Sequence, residues 1–224
     1  MIRAIVYDAV GTLIQVQPSV AAIYAEVGRR HGSSLAVEEV RRRFPAAFAR
    51  QEQLDRDAGW RTDELREMNR WRQIVAEVLE DVADVDACFA ELFTAFGQAP
   101  AWSCELDSVG LIETMHLRGI RQALASNFDR RLRQVIAPLP IAPYLDPVVI
   151  SSEVGWRKPA RQFFEHVVGS LALLPSEILF VGDDLGNDYE PARASGMQAV
   201  LFDPHGKSSN IQRVERLIDV ADFV

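Results

Sequence analysis

Cysteine is scarce in this 224-residue chain, and its two residues, Cys88 and Cys104, form no CxxC pair and keep no Cys/His metal spacing. That argues against a disulfide framework or a thiolate metal site and leaves packing or surface thiols. Long apolar runs are missing too, and the amino terminus reaches Tyr7-Asp8 before a signal-peptide core can form. No membrane partner is therefore expected, and the cytoplasm is the expected location. Positive charge is in deficit: the formal net charge of -8 argues against nucleic acid as a partner and means that a small anion would need a locally focused positive site. Internal repeats and low-complexity tracts are absent. The segment from 16 to 100 contains no lysine.

What is present is enough apolar residue, 48%, to bury a core in one large domain or in a domain carrying an insertion. The stretch from Ile2 to Tyr7 reads as a strand, Asp8 falls at its end, and Gly11-Thr12 turns the chain away. A carboxylate at a strand's carboxyl end is where open parallel sheets place their chemistry. The pattern then becomes helical. Val20, Ile23, Tyr24 and Val27 share one face, and a second helix follows from about Val37, where Pro45 is expected to kink or split it. The polar stretch Asp55 to Arg61 reads as a turn-prone loop, with Trp60, Arg61 and the acidic residues before them either contacting substrate or, the stronger reading, plainly solvated, and Thr62, ahead of Asp63 and Glu64, reads as the cap of a third helix. Trp71, Ile74, Val75 and Val78 continue that helix, and Phe89, Leu92, Phe93 and Phe96 mark a fourth. The aromatic stripes of these four helices read as bundle core.

From about Ala101 short apolar runs alternate with helices. The runs at 122–126, 147–151, 178–183 and 198–203, together with the first, make five strands. The helical candidates between them lie near 109–117, 130–136, 160–171 and 188–194. The expected fold class is therefore α/β: a Rossmann-like parallel five-stranded sheet with helices on both faces, plus an inserted helical-bundle cap. Residues 1–15 and 101–224 would form the core domain and 16–100 the cap.

Each strand of such a sheet would end in a reactive group: Asp8, then Ser126-Asn127, then Ser151-Ser152 with Lys158 soon after, then Asp183-Asp184 with Asp188. Any one of these has a bland role, as a helix cap, a turn or a surface charge; their convergence on one edge points to a site. Asp8 can be a carboxylate nucleophile or a hard ligand, and magnesium, which takes a few carboxylates plus substrate oxygens, suits the acidic cluster. Ser126 can donate to a phosphoryl oxygen, and Lys158 can hold nucleophile and transferred group in line.

These residues resemble the motifs of the haloacid dehalogenase superfamily: Asp8-Ala9-Val10-Gly11-Thr12, Ser126-Asn127, Lys158-Pro159, and Gly182-Asp183-Asp184-Leu185-Gly186-Asn187-Asp188. The runs Ser126 to Leu132 and Ser151 to Gly155 further resemble a subgroup of hydrolase-like proteins. The resemblance implies Asp8 as nucleophile and metal ligand, with the Val10 carbonyl and Asp183 as further magnesium ligands. It implies that Ser126 and the Asn127 amide hold a phosphoryl group and that Lys158 neutralises charge. Thr12, Asp184 and Asp188 would stand behind these, Asp188 supporting the metal or orienting Lys158.

The implied activity is a magnesium-dependent phosphatase acting on a small phosphorylated metabolite, in a monomer or homodimer. Its departure is Val10, where phosphatases of this family carry a second aspartate for proton transfer. A slow phosphatase is one expectation. A non-catalytic or regulatory protein of the same fold, and a 2-haloacid dehalogenase, are the alternatives. The acidic cluster speaks against the metal-free dehalogenases, and the absence of lysine from 16 to 100 against phosphonate hydrolysis.

Overall fold

The computed structural model describes residues 1–224. Five of its strands are those expected: β1 (Ala4–Tyr7), β4 (Arg121–Ser126), β5 (Val148–Ile150), β6 (Ile178–Gly182) and β7 (Gln198–Phe202). A short β8 (Arg213–Val214) adds a sixth, giving the order β5-β4-β1-β6-β7-β8 with every pairing parallel. The expected count of five is thus one short, because two residues of strand carry no periodicity to read. A separate antiparallel pair, β2 (Ile14–Val16) with β3 (Trp102–Cys104), was also not expected. It ties together the two points where the chain leaves the sheet region and returns to it.

The central strands read as unbroken apolar runs because both faces are covered. Along β1, Ile5 and Tyr7 pack on one side with α5 (Leu106–Leu117) and α6 (Arg131–Ile136), while Ala4 and Val6 pack on the other with α8 (Arg161–Leu171), which follows the single-turn α7 (Ser151–Val154). Period-2 alternation therefore sends successive residues into two different cores. Burial pushes the Tyr7 hydroxyl far above its usual range, and the group is satisfied by donating to Gln122 Oε1 at 3.1 Å. No helix is long and apolar enough to cross a membrane.

Between β2 and β3 lie α1 (Val20–Arg30), α2 (Val37–Asp57), α3 (Glu64–Val78) and α4 (Val85–Phe96). Three of them start on side-chain caps: Ser19 accepts from Ala22 N, Asp63 from Arg66 N and Asp84 from Ala87 N. The cap of α3 is thus Asp63 rather than Thr62, whose buried hydroxyl instead donates to Glu67. Pro45 does not split α2, which runs through it as one element. Cys88 is fully buried among these helices, as a packing thiol should be, and Cys104 is half-buried.

The stretch Asp55 to Arg61 departs most from expectation. Asp55 lies inside the last turn of α2 and is fully buried, because it sits among three arginines rather than in solvent. Arg66 reaches it at 2.8 Å, Arg70 pairs with its other oxygen, and Arg157 Nε lies 3.6 Å away. Arg157 also pairs with Glu67 of α3. Burial and the neighbouring Arg157 pull the Arg70 guanidinium down to about 10, while Asp55 and Glu67 favour its charge.

Backbone bonds reinforce this junction: Arg157 N donates to the Trp60 carbonyl at 2.8 Å, and Thr62 N to Gly155 at 3.1 Å. The helical insertion is thereby fastened to the loop that carries Lys158. Removing one member of a buried ion pair strands the other charge and costs about 3–5 kcal/mol. Asp55→Ala is therefore expected to lower stability by about that amount in urea unfolding, with Asp55→Leu/Arg70→Met recovering much of the loss.

Candidate active site

The site begins where β1 ends. Asp8 follows the strand directly, its amide donates to Val181 O of β6 at 2.8 Å, and only 6% of the residue is exposed. Gly11, at φ +95°, then lets the chain pass under Asp183: a Cβ there would run into the Asp183 carboxylate. Gly182 plays the same part for Asp188, whose side chain occupies the space a Cβ would need. Two glycines of the recognised motifs are thus explained by close approach.

Lys158 is the electrostatic centre. Its buried ammonium donates to Asp8 Oδ1 at 2.5 Å and to Asp188 Oδ1 at 2.6 Å. Burial alone would favour the neutral amine, but Asp188 and Asp8 outweigh it and raise its pKa. Its backbone is pinned as well: Lys158 N donates to Asn127 Oδ1 at 2.7 Å, and Asn127 Nδ2 returns a bond to Lys158 O at 3.0 Å. The Asn127 side chain is therefore a clamp on Lys158, a role the sequence did not disclose. Pro159 does not open the following helix, which begins at Arg161.

The carboxylates carry more negative charge than Lys158 can balance. Asp8, Asp183 and Asp188 each place an oxygen within 4.8 Å of the others. Burial pushes Asp8 upward, with Lys158 opposing and Asp183 adding to the rise. Burial and the charge of Asp188 push Asp183 up to about 6, although the residue is open to the cavity. Asp188 is likewise pushed up to about 6, by burial with Asp8 adding to it and Lys158 opposing. Three carboxylates around one ammonium leave a surplus that a divalent cation would match. Hard oxygen donors at this spacing fit such an ion. The Val10 carbonyl accepts no backbone hydrogen bond, and Val10 lines the same cavity as the carboxylates.

The remaining expected residues fall into different roles. Thr12 donates to Asp183 Oδ1 at 3.4 Å, a weak contact. Asp184 accepts from Gly186 N and Asn187 N, capping a single wide turn at Leu185–Tyr189 that leads into the helix expected near 188–194, which spans Glu190–Ala194. Its job is thus to shape the turn that delivers Asp188. Ser126 Oγ and the Asn127 amide have no partner within the chain, and both residues line the same cavity as Asp8 and Lys158. They are free to receive an anion. The Val10 side chain is 36% exposed and lines that cavity too.

Arg157 lines the cavity, as its place beside Lys158 in the sequence suggests, whereas Glu52 and Arg131, also on the wall, carry no signal in the sequence. The aromatic stripes also differ from expectation. Phe44, Phe48, Trp71, Phe89, Phe93 and Phe96 are half-buried and line the cavity, whereas the innermost packing of the four helices is mainly aliphatic.

The family model of haloacid dehalogenase-like hydrolases matches residues 2–196. The human haloacid dehalogenase-like hydrolase domain-containing protein 3 is 26% identical over 205 residues, covering 89% of this chain and 81% of that one. Ribulose-1,5-bisphosphate 5-phosphatase of Halopiger xanaduensis is 31% identical over 123 residues, covering 51% of this chain and 52% of that one. Among solved structures, a Bacillus subtilis HAD-hydrolase superposes with a TM-score of 0.80 at 14% identity, covering 99% of this chain and 98% of that chain.

The acidic cluster makes a testable demand. In a calorimetric titration with a divalent cation, Asp183→Asn is expected to lower affinity by about tenfold or more, with the circular dichroism of the fold unchanged.

Proposed function

The chain belongs to the haloacid dehalogenase-like hydrolase family, and we propose that it is a magnesium-dependent phosphatase of a small phosphorylated metabolite, working through an aspartyl-phosphate at Asp8. The observation that carries this reading is the convergence on one cavity of the Lys158-bridged Asp8, two unpartnered donors at Ser126 and Asn127, and the surplus of carboxylates. The phosphatase named among the relatives supports the same chemistry.

Asp8 attacks the phosphorus while Lys158 fixes its carboxylate in position and offsets charge. Ser126 Oγ and the Asn127 amide donate to the non-bridging phosphoryl oxygens and stabilise their charge while the bond to the leaving oxygen breaks, its electron pair departing with that oxygen. Asp188 keeps Lys158 charged and aimed, and Asn127 fixes the backbone from which it reaches. Asp8, Asp183 and the Val10 carbonyl would hold the magnesium ion, with Asp188 and Thr12 behind them. When bound, that ion neutralises repulsion between an anionic nucleophile and an anionic substrate. Val10 has no proton to give, so the leaving group departs without help from that position and attack of water on the intermediate lacks the same assistance.

Two measurements test the reading. Asp8→Asn is expected to abolish inorganic phosphate release from an activated aryl phosphate in the presence of magnesium; full retained activity would exclude the mechanism. Val10→Asp is expected to raise kcat for alkyl phosphates, whose alkoxides leave poorly, by up to about a hundredfold, the lower end of what general acid–base assistance supplies. Halide release from a 2-haloacid in chelator would favour the dehalogenase alternative. Metal-dependent ligand binding without turnover would favour a regulatory protein.

A further inference from the structure

The polar floor of the cavity accounts for phosphate chemistry, but its wall has a different character. The cavity measures about 330 Å³, and 14 of its 25 lining residues are hydrophobic, so whatever sits above the phosphoryl group meets an apolar surface. Much of that surface is aromatic. The rings of Phe44 and Phe48 stack at 6.0 Å, Phe48 meets Trp71 at 6.3 Å, and Phe89 meets Phe93 at 5.2 Å. These rings stay half-buried: most pack on one side against an innermost core that includes Val40, Ile74, Val78, Leu79 and Leu92, and they line the cavity as well.

The charged groups of the wall are largely occupied. Arg131 is held by Asp129 and the Phe93 carbonyl, and Arg157 by Glu67. Glu52 reaches the Asn187 amide only at 3.5 Å. A sugar or polyol phosphate would bring several hydroxyls into this space with few groups to receive them, and a hydroxyl buried without a partner is penalised.

Val10 points the same way from the side of reactivity. It lines the same cavity as an exposed apolar residue, and it offers no proton to an alkoxide leaving group. A phenol, with a pKa of about 10 like that of tyrosine, departs as its anion. An aliphatic alcohol, near the value of about 15.7 for water, does not do so readily.

Resting on the phosphatase reading, we propose that the cavity accepts an aryl phosphate, the aromatic wall enclosing the ring and the absence of an acid at position 10 matching a phenolate leaving group. In the first step an Asp8 oxygen bonds to phosphorus and the bond from phosphorus to the aryl oxygen breaks, its electron pair leaving on the phenolate. In the second, water adds to phosphorus and the bond to Asp8 breaks, its electron pair returning to the carboxylate. Both hydrogens of that water remain on the released dihydrogen phosphate.

The experiment compares kcat/KM of the full chain with magnesium for 2-naphthyl phosphate, acetyl phosphate and 2-phenylethyl phosphate. Acetyl phosphate has the better leaving group but nothing to place against the wall; 2-phenylethyl phosphate has the ring but a poor leaving group. The aryl phosphate is expected to exceed each by about tenfold or more. Acetyl phosphate turned over as well as, or better than, naphthyl phosphate would overturn this inference and leave the phosphatase reading standing. No release from any of the three would defeat both. Val20→Phe, which adds bulk to the wall from α1, is expected to lower the naphthyl-to-acetyl ratio by about tenfold. An unchanged ratio in a folded variant would overturn the assignment of the wall.

Discussion

The contact on which the site depends is the bridge from Lys158 to Asp8 and Asp188. A lysine ammonium enters a buried setting only if carboxylates hold its charge there, and those carboxylates come from opposite ends of the chain. β1 delivers Asp8, the turn after β6 delivers Asp188, and the loop after β5 delivers Lys158. The parallel order of the sheet brings all three to one edge. Gly182 and the Asn127 clamp are then consequences: one leaves room for Asp188 and the other restrains the backbone of Lys158.

The same loop joins the two halves of the structure. Arg157, one residue before Lys158, pairs with Glu67 and approaches Asp55 in the helical insertion, so the roof and the polar floor of the cavity share a segment of backbone. Movement of the helices relative to the sheet would be felt at Lys158 through a single peptide unit. Closure of such a roof excludes water from the reacting groups.

The sequence was most informative where a strand ends in a polar residue. Asp8, Ser126 and Asp183 could be placed at one sheet edge because a buried parallel strand leaves a continuous apolar run, and its end is unmistakable. Asp55 was misjudged for the opposite reason. Charged residues near glycine read as a solvated loop, and the arginines that bury Asp55 lie 11, 15 and 102 residues further along the chain. The aromatic stripes were legible as helix faces but not as cavity wall. Helical spacing says which residues share a face, and only the docking of four helices says whether that face meets its own core or an open space. β8 was invisible because two residues of strand make no pattern.

Val10 joins the catalytic and specificity accounts. It lines the cavity with the carboxylates, and its side chain offers no proton for either half of the proposed reaction. Under the proposed phosphatase mechanism, the second half, in which water must release the enzyme, would lose that assistance, and the covalent intermediate would accumulate. Rapid acid quench of the enzyme with magnesium and an aryl phosphate, followed by peptide mass spectrometry, tests this directly. The account predicts a phosphoryl adduct on Asp8 approaching one per chain during turnover. Continued phosphate release with no adduct on Asp8 at any time would contradict it.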